Sequence, residues 1–426
     1  MILKRIMDEL GLDRTSSGTS SNSASTRPAV NIVGTSPLRK KKKLLIMTTV
    51  SSTFENNLVS QPSYLSEHYR VMICSSPSDG LKEFAEKEGV PYREVPMYRG
   101  IHPIKDLVSI LRFFMVLLEY KPDIVHSYTP KAGLVNAVTG FFRRGQISIH
   151  TYTGLVFLGE RGIKRRILIC VDRLIARLAT EVIPEGEGVR SNLVSYRIAS
   201  KPAPVLWHGN INGVDLTRFS PDVRRRLRRE RRRLLPKATD DSIVFSFVGR
   251  VNRHKGFEEL VCAFMELRKH YTDVFLVVAG RVEEKNPVSS RALSILYDHP
   301  NVRYLGFTRD VESVFAIADV NVLPSYREGV PNVVLQSSAM GVPSIVTDIP
   351  GCRDLVVDGV NGWRVEAKNG RELKRIMEMV INLPDEDLAK IGGNAHSLVS
   401  RKFDRKDVQK HLLTYYAETL SRHRGN

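Results

Sequence analysis

"DVNVLPSYREGVPNVVLQSSAMGVPSIVTD", residues 319–348, reads as strand, loop, helix, strand. Its two ends are short runs rich in β-branched residues and bounded by turn residues, the pattern of buried strands. Between them "PNVVLQSSAM" reads as a small-residue helix, with Pro331 suited to its first turn. A strand, a helix and a second strand form one unit of a parallel sheet covered by helices. Glu328 stands just before the helix start. Eight residues on, where a second carboxylate would make a pair, stands Gln336.

The same alternation extends in both directions. Upstream, "SIVFSFVGR", "VFLVVAG" and "NVRYLGF" read as strands, and "GFEELVCAFMELRKHY" and "VESVFAIA" as helices. The first half repeats the scheme. "LLIMTTV" (44–50), "VMICSS" (71–76), "YREVPM", "PDIVHSY" (122–128) and "ISIHTY" (147–152) are strands. "DGLKEFAEKEG" and "PIKDLVSILRFFMVLLEYK" are helices among them. The run "GLVFLGERGIKRRILICVDRLIARLATEVI" carries a helical stripe of Ile167, Leu168, Val171, Leu174, Ile175 and Leu178. Its other face holds Lys164, Arg165, Arg166, Arg173 and Arg177. The fold class expected is α/β, with two similar domains joined near residues 210–240.

A chain of 426 residues with 42% hydrophobic residues fills two cores. The four cysteines, Cys74, Cys170, Cys262 and Cys352, lie far apart in sequence and show no metal-ligand spacing, which suits a reducing cytoplasm. "MILKRIMDELGLDR" lacks the apolar core of a secretion signal, and no apolar stretch reaches the ~18 residues of a spanning helix. The Ser/Thr-rich segment 15–26 makes residues 1–40 a flexible extension. A formal net charge of +18 asks for an anionic partner: nucleic acid, acidic lipid headgroups or a phosphorylated substrate.

Ligands of open α/β sheets bind at the carboxyl ends of the strands, so the loops there carry the chemistry. "VGRVNRHKG" (248–256) ends a strand at Gly249 and then offers Arg250 and Lys255. Arg supplies a fork of donors and Lys a point charge, which suits phosphate; a solvated basic loop has the same composition. In "LPSYREGVPNVVLQ" the helix at Pro331 aims free N–H groups and its positive end at the cleft, a place for a diphosphate. Glu328 there suits sugar hydroxyls, or simply caps the helix. Both loops follow strands of the same half and open on one cleft, which together describes a nucleotide-sugar site.

These segments, with "GNINGVDLTRFSP" and "NVRYLGFTRDVESVFAIADVNVLPSYREGVPNVVLQSSAMGVPSIVTDIPGCRDLVVDGVNGWRV", resemble the retaining glycosyltransferases of family four. "PDIVHSYTPKAGLVNAVTG" and "IHTYTGLVF" are similar to the subgroup that extends lipid-linked oligosaccharides. The resemblance covers most of residues 43–420. It implies the GT-B fold: two Rossmann-like domains, 41–215 for the acceptor and 216–400 for the nucleotide sugar, facing a cleft. Residues 401–426 would form a helix packing back on the first domain.

The resemblance also implies roles. Gly249, Arg250 and Lys255 would meet the donor diphosphate, and Arg250 and Lys255 would stabilise it as it leaves, with no bound metal and no cofactor. Glu328 and Gly329, followed by Val330 and Pro331, would position the donor sugar. Gln336 would accept a ribose hydrogen bond without charge assistance, with Asn332 four residues earlier on the same helical face. Phe307 and Thr308 would wall the base, with uridine expected. His126, Lys131 and Gly133 would face the acceptor, although His126 and Lys131 serve equally as a core His and a surface Lys. Tyr128 and Thr153 stand where the family often has His, which weakens any histidine base.

The resemblance thus implies a peripheral enzyme at the cytoplasmic face of the membrane. It would move a hexose or N-acetylhexosamine from a UDP-type donor to a polyprenyl-diphosphate-linked saccharide, with retention. Arg161, Lys164, Arg165 and Arg166 would suit anionic headgroups. "RRRLRRERRR" (224–233) reads either as a solvated basic helix or as a headgroup binder. A nucleic-acid-binding protein fits the charge, but the basic segments lack interleaved aromatics and no nucleic-acid partner is expected. A same-fold epimerase or phosphorylase is the other alternative.

Overall fold

The computed structural model describes residues 41–143, 145–199, 204–284 and 286–423; the expected extension at 1–40 lies outside them. Six strands of the first half are β1 (Lys43–Met47), β2 (Arg70–Ser75), β3 (Tyr92–Glu94), β4 (Ile124–Ser127), β5 (Ile147–Tyr152) and β6 (Glu181–Pro184). They form one sheet in the order β3-β2-β1-β4-β5-β6. The second half supplies β7 (Ile243–Val248), β8 (Val274–Ala279), β9 (Val302–Tyr304), β10 (Val320–Leu323), β11 (Ser344–Thr347) and β12 (Gly362–Val365). Their order is β9-β8-β7-β10-β11-β12. All pairings within both sheets are parallel. Each sheet is a Rossmann-like, doubly wound one. Its winding reverses between β1 and β4, or between β7 and β10, and a crevice opens there beyond the strand ends.

Strand residues alternate between two buried faces, which explains the near-continuous apolar runs. Leu44 and Ile46 pack on one side of the first sheet, while Leu45 and Met47 pack on the other. In the second sheet, Phe275 and Val277 join one core and Leu276 and Val278 the other.

The helices used below are α1 (Pro103–Tyr120), α2 (Pro130–Phe141), α3 (Gly162–Leu178), α4 (Glu187–Ser195), α5 (Phe257–Leu267), α6 (Asn332–Ala339), α7 (Asp385–Lys402) and α8 (Arg405–Arg422). Phe113 and Leu117 of α1 and Val135 of α2 cover the Leu45 face. The chain returns at its end, so that Leu412, Tyr415 and Tyr416 of α8 seal the Leu44 face.

Four features depart from the sequence reading or go beyond it. β1 stops at Met47 because the Thr49 amide donates to Thr129 Oγ1 at 2.8 Å instead of extending the strand. β6 is a strand that the helical periodicity before it conceals. α1 buries Asp106, Ser109, Phe113 and Leu117, but leaves Ile104 (82%) and Leu107 (55%) exposed, with Met115 and Leu118 also outward. The arginine run is only partly solvated: Arg225, Arg232 and Arg233 are exposed, whereas three others are drawn into the fold. Arg224 donates to the carbonyls of Gly341 and Ala318, both at 2.9 Å. Arg228 and the buried Arg231 both pair with Asp319, at 2.7 and 3.3 Å. Charge alone could not reveal this, because Asp319 lies about 90 residues downstream and only the fold brings it in.

Candidate active site

The switch point between β7 and β10 sets two loops side by side. In the first, Asn252 Oδ1 accepts from the Lys255 amide at 2.9 Å and fixes a tight turn. Gly256 closes that turn at φ +68°, and a Cβ on it would lie 2.7 Å from the Pro324 carbonyl carbon. Only glycine combines that left-handed backbone with so close an approach. The two loops therefore pack backbone to backbone, and the Lys255 side chain reaches across to the second. Its Nζ lies 2.5 Å from Glu328 Oε1, with the side chains only 20% and 12% exposed.

Arg250 is more open and pairs with Glu283 Oε1 at 2.6 Å. Glu283 also accepts from Asn252 Nδ2, so one carboxylate steadies both Arg250 and the turn that places Lys255. Glu283 escaped the sequence reading, although its position just past the end of β8 is the signal that could have found it.

The second loop carries Glu328, Gly329 and Val330 into α6. Pro331 is the cap, with an extended ψ of 113°, so the helix begins at Asn332 and not at Pro331. Gly351 packs under the loop: a Cβ there would sit 2.8 Å from the Glu328 carbonyl oxygen and closer still to Gly329. Asn332, on the helical face of Gln336 by its spacing, already has side-chain partners. Its amide bridges to the first half, accepting from Asn210 Nδ2 at 2.7 Å and donating to Asn57 Oδ1 at 3.2 Å. Gln336 lies one turn on, half-buried. Beyond β9, half-exposed Phe307 carries the Arg281 guanidinium 4.5 Å above its ring, and Thr308 Oγ1 accepts from the Asp310 amide at 3.0 Å. Phe307 and Arg281 thus present an exposed aromatic-cationic surface, whereas the Thr308 hydroxyl is committed to its turn.

The first half faces these loops with different chemistry. Arg327 Nη1 donates to the Val156 carbonyl at 2.7 Å, and the Gly188 amide to Asp354 Oδ2 at 3.2 Å. Glu185, just after β6, lies with its carboxyl group against Gly329.

The three residues expected at the acceptor are occupied otherwise. His126 is fully buried, its Nδ1 2.6 Å from the Tyr416 hydroxyl and its Nε2 2.7 Å from Thr151 Oγ1. Burial first, and then nearby His150, holds its pKa well below the usual histidine value. It fastens α8 to the first sheet and has no free nitrogen to offer. Lys131 pairs with Asp106 of α1 at 2.5 Å, both side chains 12% exposed. Gly133 is buried against the His150 ring, where a Cβ would come within 2.6 Å of Nδ1. A helix-packing glycine and two polar side chains with partners of their own stand in the segment "HSYTPKAG".

The family "Glycosyl transferases group 1" matches residues 228–397, and "Glycosyl transferase 4-like domain" matches residues 65–206. The capsular polysaccharide biosynthesis glycosyltransferase CapM of Staphylococcus aureus is 30% identical over 389 residues, covering 91% of this chain and all of CapM. The UDP-Gal:alpha-D-GlcNAc-diphosphoundecaprenol alpha-1,3-galactosyltransferase of Escherichia coli is 23% identical over 330 residues, 76% of this chain and 82% of the relative. Anabaena HepE, solved in complex with UDP and glucose, superposes with a TM-score of 0.73 at 19% identity, covering 89% of this chain and 99% of that one. At that identity the likeness is one of fold.

Proposed function

Because the chain belongs to the group 1 glycosyltransferases, as its likeness to CapM over that protein's whole length shows, we propose a specific reaction for it. It moves a hexose or N-acetylhexosamine, with retention of configuration, from a UDP-linked donor to a saccharide carried on a polyprenyl diphosphate. The observation that carries this reading is the Lys255–Glu328 pair at the switch point, beside the start of α6. A cation and a carboxylate held together there suit the two unlike ends of a nucleotide sugar, the diphosphate and the hydroxyl-rich ring. In this reading residues 216–400 hold the donor, and residues 41–215 with the terminal segment 401–426 hold the acceptor. The named E. coli relative acts on a diphosphoundecaprenol-linked sugar, which supports a lipid-linked acceptor here.

The chain's own residues account for the chemistry. Lys255 and Arg250 hold the diphosphate and stabilise its charge as the bond from the anomeric carbon to the phosphate oxygen breaks. Glu328 accepts hydrogen bonds from the sugar hydroxyls and holds the ring in place. The acceptor hydroxyl forms the new bond on the face the diphosphate leaves, and its proton passes to a diphosphate oxygen. This route requires no histidine base, in keeping with the enclosed His126, and no metal.

No described helix is long and apolar enough to cross a membrane. The exposed apolar side of α1 and the basic side of α3 support a peripheral location at an anionic surface, and we propose the cytoplasmic one.

The test presents a polyprenyl-diphosphate saccharide in vesicles with and without anionic lipid, with a panel of nucleotide sugars. A lipid product heavier by one sugar, with the donor's anomeric configuration, is the expected result; anionic lipid should raise turnover and added salt should remove that gain. Isomerised donor formed without acceptor would instead assign an epimerase.

Lys255→Ala is expected to weaken nucleoside-diphosphate binding about 10- to 100-fold, the worth of a hydrogen bond to a charged group. Titration calorimetry reads this directly, and unchanged affinity would remove Lys255 from the donor site.

A further inference from the structure

Glu185 is a carboxyl group of the first half that the reaction above leaves unused although it touches the donor loop. It extends from the end of β6, with its backbone fixed on both sides. Its amide donates to the Tyr152 carbonyl at 3.1 Å, and its own carbonyl accepts from the Asn210 amide at 2.8 Å. The side chain is buried, 7% exposed. It fills the space that Gly329 leaves: a Cβ on Gly329 would lie 3.1 Å from Glu185 Cδ, and closer to Oε2. Gly329 directly follows Glu328 and precedes Val330, whose amide faces the Glu185 carboxyl group. No lysine or arginine pairs with Glu185 among the described residues; the charges that bear on it are Glu328 and Asp354 of the second half, both acidic. His126, which lines the same small cavity, is held neutral by burial.

We infer that Glu185 is a positioning residue: reaching over from the first sheet, it sets the Glu328–Val330 loop where Glu328 meets the donor sugar. The inference rests on the donor-binding role of Glu328. Burial, and then Glu328 and Asp354, push the Glu185 carboxyl up to about 8, against a partial offset from the Val330 amide. The folded, closed arrangement therefore binds this proton more tightly than an open one. Its stabilisation is full at low pH, declines as pH rises above the ordinary carboxylate range, and is lost once pH passes about 8. Ionised Glu185 would then repel Glu328 and Asp354 across the junction of the two halves, and the loop would move away from the first sheet.

The test compares the protein with Glu185→Ala and Glu185→Gln. The Ala variant should lose about tenfold in kcat/KM for the donor, the order expected for a small displacement of a positioned group. Gln keeps the shape and is neutral at every pH, so it should restore most of that loss. The unaltered protein's kcat/KM should fall above about pH 8, approaching tenfold per pH unit, while the Gln variant shows no such fall. A second readout needs no substrate: hydrogen exchange of the amides of residues 329, 330 and 332–335, corrected for intrinsic rate, should speed up between about pH 7 and pH 9 in the unaltered protein and not in Glu185→Gln. A Gln variant no better than Ala, or one that keeps the alkaline fall or the exchange change, would overturn the proposal. The proton-dependent exchange, seen without transfer from any nucleotide sugar, would support the Glu185 contact and reject the transferase reading instead.

Discussion

Glu328→Ala should lower turnover by about 10²–10³-fold, the loss seen when one group that stabilises a developing transition state is removed. Two effects add in the same direction. The donor ring loses the carboxylate that fixes it. Lys255, only 20% exposed and paired to Glu328 at 2.5 Å, loses the partner that aims its charge. A lone ammonium in that setting turns toward solvent, because an unpaired, partly buried charge is costly. Glu328→Gln separates the effects, since the amide still accepts a hydrogen bond but carries no charge to hold Lys255. The measurement is kcat at saturating donor, with the melting temperature as a check on the fold. Near-normal turnover of a folded Glu328→Ala protein would reject the assignment of this loop to the donor.

Gly351→Ala should cost about 10²-fold in turnover, although residue 351 contributes no side chain to the site; displacing a reacting group by ~1 Å is enough for a loss of that size. The added methyl would sit 2.6 Å from the Gly329 carbonyl carbon and 2.8 Å from the Glu328 carbonyl oxygen, all backbone atoms that cannot rotate away. The loop must shift, and Glu328 with it. Gly393→Ala in α7 is the matched control: nothing lies within 4 Å of the added methyl, and helix propensity favours Ala by up to ~1 kcal/mol. Turnover should be intact in that variant. Equal activity in the two variants would show that the Gly329–Gly351 contact does not control the site.

Much of the molecule was legible in its sequence. The alternation of β-branched runs and helices gave two parallel sheets, because a strand buried on both faces must be apolar throughout. The two facing loops of the second half were legible too. Arg250, Lys255 and Glu328 follow strand ends, and the doubly wound order obliges those particular ends to meet. The partners of His126, Lys131 and Gly133 were not legible. His126, Lys131 and Gly133 follow strand β4 just as the donor residues follow theirs, yet their partners are Tyr416, Asp106 and His150, which come from other elements. No local pattern says that a histidine already has both nitrogens occupied.

The sequence by itself thus determined which chemistry lies at the strand ends of the second half, since spacing along one chain places residues at the end of one strand. Only the tertiary structure decided what those residues touch. Glu283 steadies Arg250, three arginines of a basic run serve Asp319 and helix-end carbonyls, and Asn332 bridges to Asn57 and Asn210. Glu185 meets Gly329 nearly 150 residues away. The physical reason is range. Periodicity and turn chemistry act over a few residues, whereas the burial and pairing of a charged or polar group depend on whatever the fold brings within a few ångströms of it.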